Sequence, residues 1–403
     1  MVFLANSDER PWGREKNTMG LIRGNIRHYG MIIALVAIAL LFQHLTGGLL
    51  FRPANIANLV TQNSHILILA IGMMLVIITG RIDLSVGSLV AFSSAMSGIF
   101  IVNMGLPVWL AIIAVLLVGA LSGAWNGYWI AYKNVPFFVV TLAGMLVFRG
   151  LTMVVLEGRT IGPFPPVFHN LAAGFIPDVF GGASYNITAI VLCIVMSLAF
   201  VLSECRKRQI ARKYQADELP TPLFIGKLLL IAGAINLFGY WFSRSRGIPN
   251  ILVLLTLLVA VYSFVAGNTV FGRHIYATGG NAKAAELNGL KVKKVTFWVY
   301  VNMGILAALA GLVFASRLNA ATPRAEAGFE LQAIASAFIG GASPYGGVGK
   351  VTGAIIGAMV MGILNNGLSH LGIGADIQLA ITGLVLLAAV TFDVYAKTKL
   401  SKS

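Results

Sequence analysis

Apolar runs recur along this chain almost end to end, and a helix needs about 20 such residues to cross the hydrocarbon core of a bilayer. They read as Met31–Phe51, Ile56–Thr79, Leu84–Met104, Val108–Tyr132, Phe137–Leu156, Tyr185–Leu202, Leu223–Phe242, Ile251–Val270, Val295–Ala315, Leu331–Ile339, Val351–Leu368 and Ile377–Phe392. The third adjoins a charged interruption and the tenth is short, so the expected fold is an all-α, polytopic membrane helical bundle. It has about 10–12 transmembrane helices, with broken or re-entrant segments. Only 11% of residues are charged, against about 25% in a soluble average. No cleavable signal peptide is expected, because the first 30 residues are polar and the apolar run that follows is too long.

The net charge of +15 is distributed as a membrane protein distributes it. Short connectors hold Arg10, Arg14, Lys16, Arg23 and Arg27, then Lys133, then Arg206, Lys207, Arg208, Arg212 and Lys213. Arg273, Lys283, Lys291, Lys293 and Lys294 follow, and Lys397, Lys399 and Lys402 close the chain. With twelve crossings these 19 of 29 basic residues all fall on one side, and positive connectors stay in the cytoplasm. Both termini are therefore expected inside. The division is a cytoplasmic segment 1–30, one transmembrane domain 31–395 with a cytoplasmic insertion at about 203–222 and a long loop at about 271–294, and a cytoplasmic tail 396–403. Gly158 to Gly182, rich in proline and glycine, predicts an ordered external loop or short re-entrant segment.

Gly80-Arg81-Ile82-Asp83-Leu84-Ser85-Val86-Gly87-Ser88 places an arginine and an aspartate between two apolar runs. A charge at the centre of a membrane helix costs roughly 2.5–3.5 kcal/mol, so such residues face a cavity or a partner. Positions i and i+2 of a helix diverge. Arg81 and Asp83 share one environment only where the backbone unwinds, which Gly80 and Gly87 permit. The reading is a broken helix beside a solute path; the alternative is a short cytoplasmic hairpin. A second interruption, Ile339 to Gly349 with Gly346 and Gly347, echoes the first, and paired interruptions mark solute paths in transporters.

Gly119, Gly123 and Gly127, like Gly353 and Gly357, recur every four residues and predict close helix packing. Asn126, Asn236, Asn302, Asn365 and Asn366 lie in apolar runs, where interhelical hydrogen bonding or solute contact is expected. Asp83, Ser85, Ser88, Asn126 and Asn302 are the candidate path residues. Arg317, Asn319, Thr322 and Arg324 follow a span at its external end. Asn281 is placed to cap a short cytoplasmic helix, Ala282 to Asn288, that Gly289 terminates. Gly349-Lys350 is not a phosphate loop, because Pro344 and Val351 stand where glycine and Ser or Thr are required. Cys193 and Cys205 lack metal spacing, no catalytic constellation is present, and neither a metal site nor an enzyme is expected.

Gly80 to Ser88, Val139-Val140-Thr141-Leu142-Ala143-Gly144-Met145 to Phe148-Arg149-Gly150, and Tyr276 to Gly289 together resemble the permease subunits of bacterial ATP-binding-cassette importers for monosaccharides. The likeness covers about Met31 to Tyr395. The insertion and the run Gly311 to Pro323 look closest to the xylose and multiple-monosaccharide type; ribose permeases are shorter. The resemblance implies a homodimer in the inner membrane, a cytoplasmic ATPase that holds ATP and Mg, and a periplasmic sugar-binding protein. It implies no cofactor on this chain and no nucleic acid. Asn281, Glu286, Leu287 and Gly289 would form the coupling segment that meets the ATPase. Arg81 stands where relatives often carry a small residue, and Asn288 where a serine is usual. Alternatives are a secondary carrier driven by protons or sodium through Asp83, or an importer of another small solute.

Overall fold

The computed structural model describes the backbone of residues 14–400 except 183, 215–219 and 324–327, and side chains between 30 and 391. Arg324, the segment 1–13 and the last three residues of the tail lie outside the described residues. The chain forms fifteen α-helices among those residues, with one π-helical turn. In order they are α1 (Arg14–Leu45), α2 (Pro53–Ile78), α3 (Val86–Gly98, extended by the π turn Ile99–Asn103), α4 (Val108–Ala131) and α5 (Phe137–Leu156). Then come α6 (Pro166–Ala173), α7 (Ile187–Lys213), α8 (Thr221–Ser243), α9 (Asn250–Asn268), α10 (Val270–Gly280) and α11 (Ala282–Leu287). The last are α12 (Val292–Leu318), α13 (Phe329–Ile339), α14 (Val351–His370) and α15 (Ala375–Leu400). Nine are long and apolar enough to cross a membrane, and Gly30–Leu45, Phe329–Ile339 and Ala375–Thr391 are shorter apolar helices. These twelve coincide with the twelve apolar segments of the sequence.

The bundle is layered around α2, 94% of whose apolar window is buried, flanked by α12 and α14 at 72% each. The outer helices α4, α5, α7, α8 and α9 are only 11–33% buried. Leu229 and Leu230 on α8 stay 69% and 71% exposed, the surface that lipid covers in a bilayer. Without a hydrophobic drive between helices in lipid, the core closes by close packing of small residues. A Cβ on Gly119 or Gly123 would overlap the carbonyls of Gly304 and Tyr300 on α12, and one on Gly127 would stand 3.0 Å from the Phe297 carbonyl. Gly353 and Gly357 likewise meet Gly340 and Ser336 of α13. The glycine spacing is packing, as its period predicts.

α12 runs between the two ends of the bundle. At its start lie α10 and α11; at its end Ser316 donates from Oγ to the Phe168 carbonyl (2.6 Å) and accepts from the Ala172 amide (3.1 Å), which fixes α6. The proline-rich stretch around α6 is thus ordered. Isolated bridges pair Ile161 with Ala321 and Phe175 with Pro249. Asn319 helps, its Oδ1 accepting from the Phe164 amide at 2.9 Å, while the Arg317 guanidinium lies over the Phe314 ring. In the stretch expected as a cytoplasmic insertion, α7 continues through its basic residues to Lys213 and α8 begins at Thr221. Glu204, on α7, pairs with Lys207 and Lys227 and ties the two helices together.

Between α6 and α7, Asp178 accepts hydrogen bonds from the Thr188 hydroxyl (2.8 Å) and the amides of Gly182, Ile187 and Thr188. The Thr188 hydroxyl, foremost, and these amides hold its carboxyl well below the usual carboxylate range. A depressed folded-state pKa stabilises the loop above the unfolded value, and that contribution fades only as pH falls toward the depressed one. Asp178→Ala should therefore speed hydrogen exchange at the Gly182, Ile187 and Thr188 amides at neutral pH, while their protection in the native chain persists on mild acidification to about the ordinary Asp pKa of 3.9. Equal protection of these amides in the two proteins would show that Asp178 does not order the loop.

Candidate functional site

Where α2 ends, the chain reverses inside the protein. Thr79–Ser85 is non-helical, Gly80 adopts φ 76° and Asp83 is 3% exposed. α2 and α3 run antiparallel on different sides of α12: His65 packs on Phe314, Gly72 on Met303 and Leu306, and Gly98 on Ala321. The Tyr300 hydroxyl donates to the Ile82 carbonyl (3.3 Å), so the reversal lies about two turns inside the start of α12. It is thus not one helix interrupted midway but a partly buried reversal between two antiparallel membrane-length helices: Asp83 and Ser85 are buried, Arg81, Ile82 and Leu84 half-buried, and Gly80 exposed.

The freed groups are satisfied locally. The Asp83 carboxylate accepts from the Ser85 amide (2.9 Å) and hydroxyl (2.6 Å), and Ser85 Oγ accepts from Asn126 Nδ2 of α4 (2.9 Å). Asp83, Ser85 and Asn126 therefore form one buried chain. Gly144, on α5, closes it: a Cβ there would stand 3.1 Å from Asn126 Oδ1 and 3.3 Å from Ser85 Cβ. Asn126 Oδ1, Ser88 Oγ and Thr141 Oγ1 are buried without a hydrogen-bond partner. Arg81 turns aside and donates to the Thr79 carbonyl (2.9 Å).

Two of the sequence candidates stand apart. Asn302 pairs with the Tyr262 hydroxyl of α9, and Gly87 lies within the first turn of α3 rather than in the reversal. Asn365 and Asn366 bond Gln332 of α13 and Asn55 of α2, so these two serve interhelical packing. Asn236 donates to Ala232 of its own helix.

The second interruption, between α13 and α14, is also a reversal, with Gly346 and Gly347 at φ 81° and 72°. It touches the first. The Gly347 amide donates to the Ile78 carbonyl at 2.8 Å, satisfying an acceptor that the end of α2 leaves free. A Cβ on Gly346 would stand 3.0 Å from the Gly80 nitrogen.

α10 packs on this junction. The Tyr276 hydroxyl donates to the Gly349 carbonyl (2.7 Å), and Gly279 lies so close that a Cβ would overlap the Ile78 carbonyl and stand 2.7 Å from the Gly347 nitrogen. α11 follows at once. Asn281 Oδ1 accepts from the Ala284 amide (2.9 Å) and Gly289, at φ 84°, ends the turn, the cap and stop that the sequence predicts. Ala285 is buried beneath it, while Leu287 projects with 84% of its surface exposed. Sequence reasoning missed Tyr276 and Gly279 as individual contacts; the only signal was a glycine pair in a long connector.

Among the described residues no group of His, Cys, Asp and Glu is arranged to hold a metal ion, and Cys193 and Cys205 are free thiols.

An all-helical bundle with, among the described residues, nine helices long and apolar enough to cross a membrane and two reversals in contact is the architecture of a multi-pass membrane protein. Residues 55–390 match the family described as branched-chain amino acid transport system / permease component, and the chain belongs to it. It is 39% identical over 381 residues to the xylose transport system permease protein XylH of Escherichia coli (strain K12), which covers 94% of this chain and 95% of that protein. XylH of Haemophilus influenzae is 38% identical over 93% of this chain and 98% of its own length. The ribose import permease protein RbsC of Haemophilus influenzae is 34% identical over 87% and 88%. No solved structure matches the chain. The protein is a transport permease and not an enzyme, one component of a larger transport system.

Proposed function

We propose that the chain is the membrane-spanning subunit of an ATP-driven importer in a bacterial inner membrane, moving a monosaccharide, xylose or a related pentose or hexose. A periplasmic binding protein delivers the sugar, and a separate ATPase holds ATP and Mg. The observation that carries this reading is the path from α11 to the two reversals. A capped helix with an exposed apolar tip at Leu287 offers a docking knob, and α10 rests directly on the junction through Tyr276 and Gly279. Asn281, Glu286, Leu287 and Gly289 form the ATPase contact. Asp83, Ser85, Ser88 and Asn126 line or brace the polar interior, and Asn302, whose oxygen Tyr262 engages, keeps a buried amide nitrogen free for a solute.

Lys133 and Lys283 to Lys294 gather at the α11 end, since α4 places Gly127 beside Phe297 near the start of α12. Positive connectors make that end cytoplasmic. A sugar is polar and uncharged, so its path needs hydrogen-bonding groups without a strong field. Selectivity then resides in the binding protein, and ATP hydrolysis tilts the permease between two openings by favouring one state over the other. One α11 per chain supplies one platform, and ATPase domains that work as a facing pair call for two copies of this chain.

The test is reconstitution in proteoliposomes with the ATPase and binding protein of the same system. ATP-dependent xylose uptake is expected, with two permease copies in the mass of the detergent-purified complex. Glu286→Lys should abolish uptake while the permease stays in the membrane. Uptake by the chain alone under a proton gradient would instead establish a secondary carrier, and normal uptake by Glu286→Lys would remove α11 from the docking surface.

A further inference from the structure

Beside the junction of the two reversals lies a cavity of about 820 Å³. Its lining includes the apolar Met31, Ala266 and Val348, Met31 standing where the first apolar run begins after its charged leader. It also includes two cations, Arg273 and Lys350, both exposed. No Asp or Glu is among the described residues that line it. Ser263, on the wall formed by α9, has a buried hydroxyl oxygen with no hydrogen-bond partner. Among the described residues that line the cavity no acidic group offsets the two cations, and a hydroxyl donor is idle in its wall.

An anion answers the charge, but a soluble anion has no use for the apolar lining or for so large a space. A phospholipid satisfies both: its phosphate meets the cations and its acyl chain lies along the apolar residues. Basic pockets between membrane helices recognise anionic headgroups in this way. We propose that this cavity binds the headgroup of an anionic phospholipid, with Arg273 and Lys350 on the phosphate. The lipid would lean on Gly347 and Gly349, which line the same cavity, and so on the junction that α10 touches. This assignment rests on the chain being a membrane permease, not on its solute, and its test reads lipid rather than transport.

Full-length permease, stripped of lipid in detergent, is incubated with equal amounts of phosphatidylglycerol and phosphatidylcholine, and the retained lipid is counted by native mass spectrometry. Phosphatidylglycerol is expected to win on the order of 30-fold, the preference that two basic residues near an anionic lipid give. The double variant Arg273→Gln, Lys350→Gln should lose the preference, whereas Arg273→Lys, which keeps the charge, should retain it. Equal retention of the two lipids by the native protein, or an undiminished preference in the double variant, would overturn the proposal. Displacement of phosphatidylglycerol by millimolar inorganic phosphate would assign the cavity to a soluble anion and overturn it equally.

Discussion

An alanine at Gly279 should bring ATP-driven uptake to background, while an alanine at the adjacent Gly280 should leave it unchanged. The two glycines differ in what surrounds them. A Cβ on Gly280 meets nothing within 4 Å, whereas one on Gly279 overlaps the Ile78 carbonyl and crowds the Gly347 nitrogen. Both obstacles are backbone, so neither can swing aside as a flexible side chain would. The methyl must push α10 away or break the Gly347–Ile78 hydrogen bond. Overpacking of this kind costs about 1–3 kcal/mol, and the lost bond adds about 0.5–1.5 kcal/mol. Uptake in proteoliposomes, with permease content measured in the same vesicles, checks this. Native uptake by Gly279→Ala would mean that the junction does not transmit the motion of α10.

At Asp83 the expected effect falls on the folded protein itself. Asp83→Leu removes the acceptor of two buried donors, the Ser85 amide and hydroxyl. A buried polar group left unsatisfied costs about 1–3 kcal/mol. The leucine variant should therefore fail to give a monodisperse peak in detergent, while Asp83→Asn, which keeps one acceptor oxygen, should fold with reduced thermal stability. The pair also separates two mechanisms. A carrier coupled to protons through Asp83 would lose all uptake in the asparagine variant, whereas an ATP-driven permease keeps a substantial part. A leucine variant as stable as the native chain would show that this hydrogen-bonded chain does not hold the reversal.

The spans were legible because their signal is local: an apolar run of bilayer length carries its own address, and Phe137–Leu156 is placed to the residue. The short helix capped by Asn281 was legible for the same reason, since a cap and a terminating glycine are neighbours in sequence. The charged stretch after Ser203 did not announce its secondary structure, because basic side chains tolerate the end of a helix as readily as a loop; α7 continues to Lys213. What could not be read was pairing across hundreds of residues. Nothing local in Gly346-Gly347 announces that its amide meets Ile78, or that Gly279 is the residue pressed against both. Asn302 shows the same limit: nothing local announces that Tyr262, on another helix, engages its oxygen while its amide nitrogen stays buried without a hydrogen-bond partner.

The helix that begins at Val292, shortly after Gly289, also ends by holding α6 through Ser316. At 27 residues, α12 is a rod of about 40 Å. Its lower end lies next to the segment that would receive the ATPase stroke, and its upper end is fastened to the proline-rich cover opposite. Glycine contacts with α4 run along its middle, backbone against backbone, and leave little room to slide. Such a rod behaves as a lever on a fulcrum. A rocking of ten degrees about its middle would swing each end roughly 3.5 Å in opposite directions for a helix of this rise per residue, so a small sideways push below displaces the cover above.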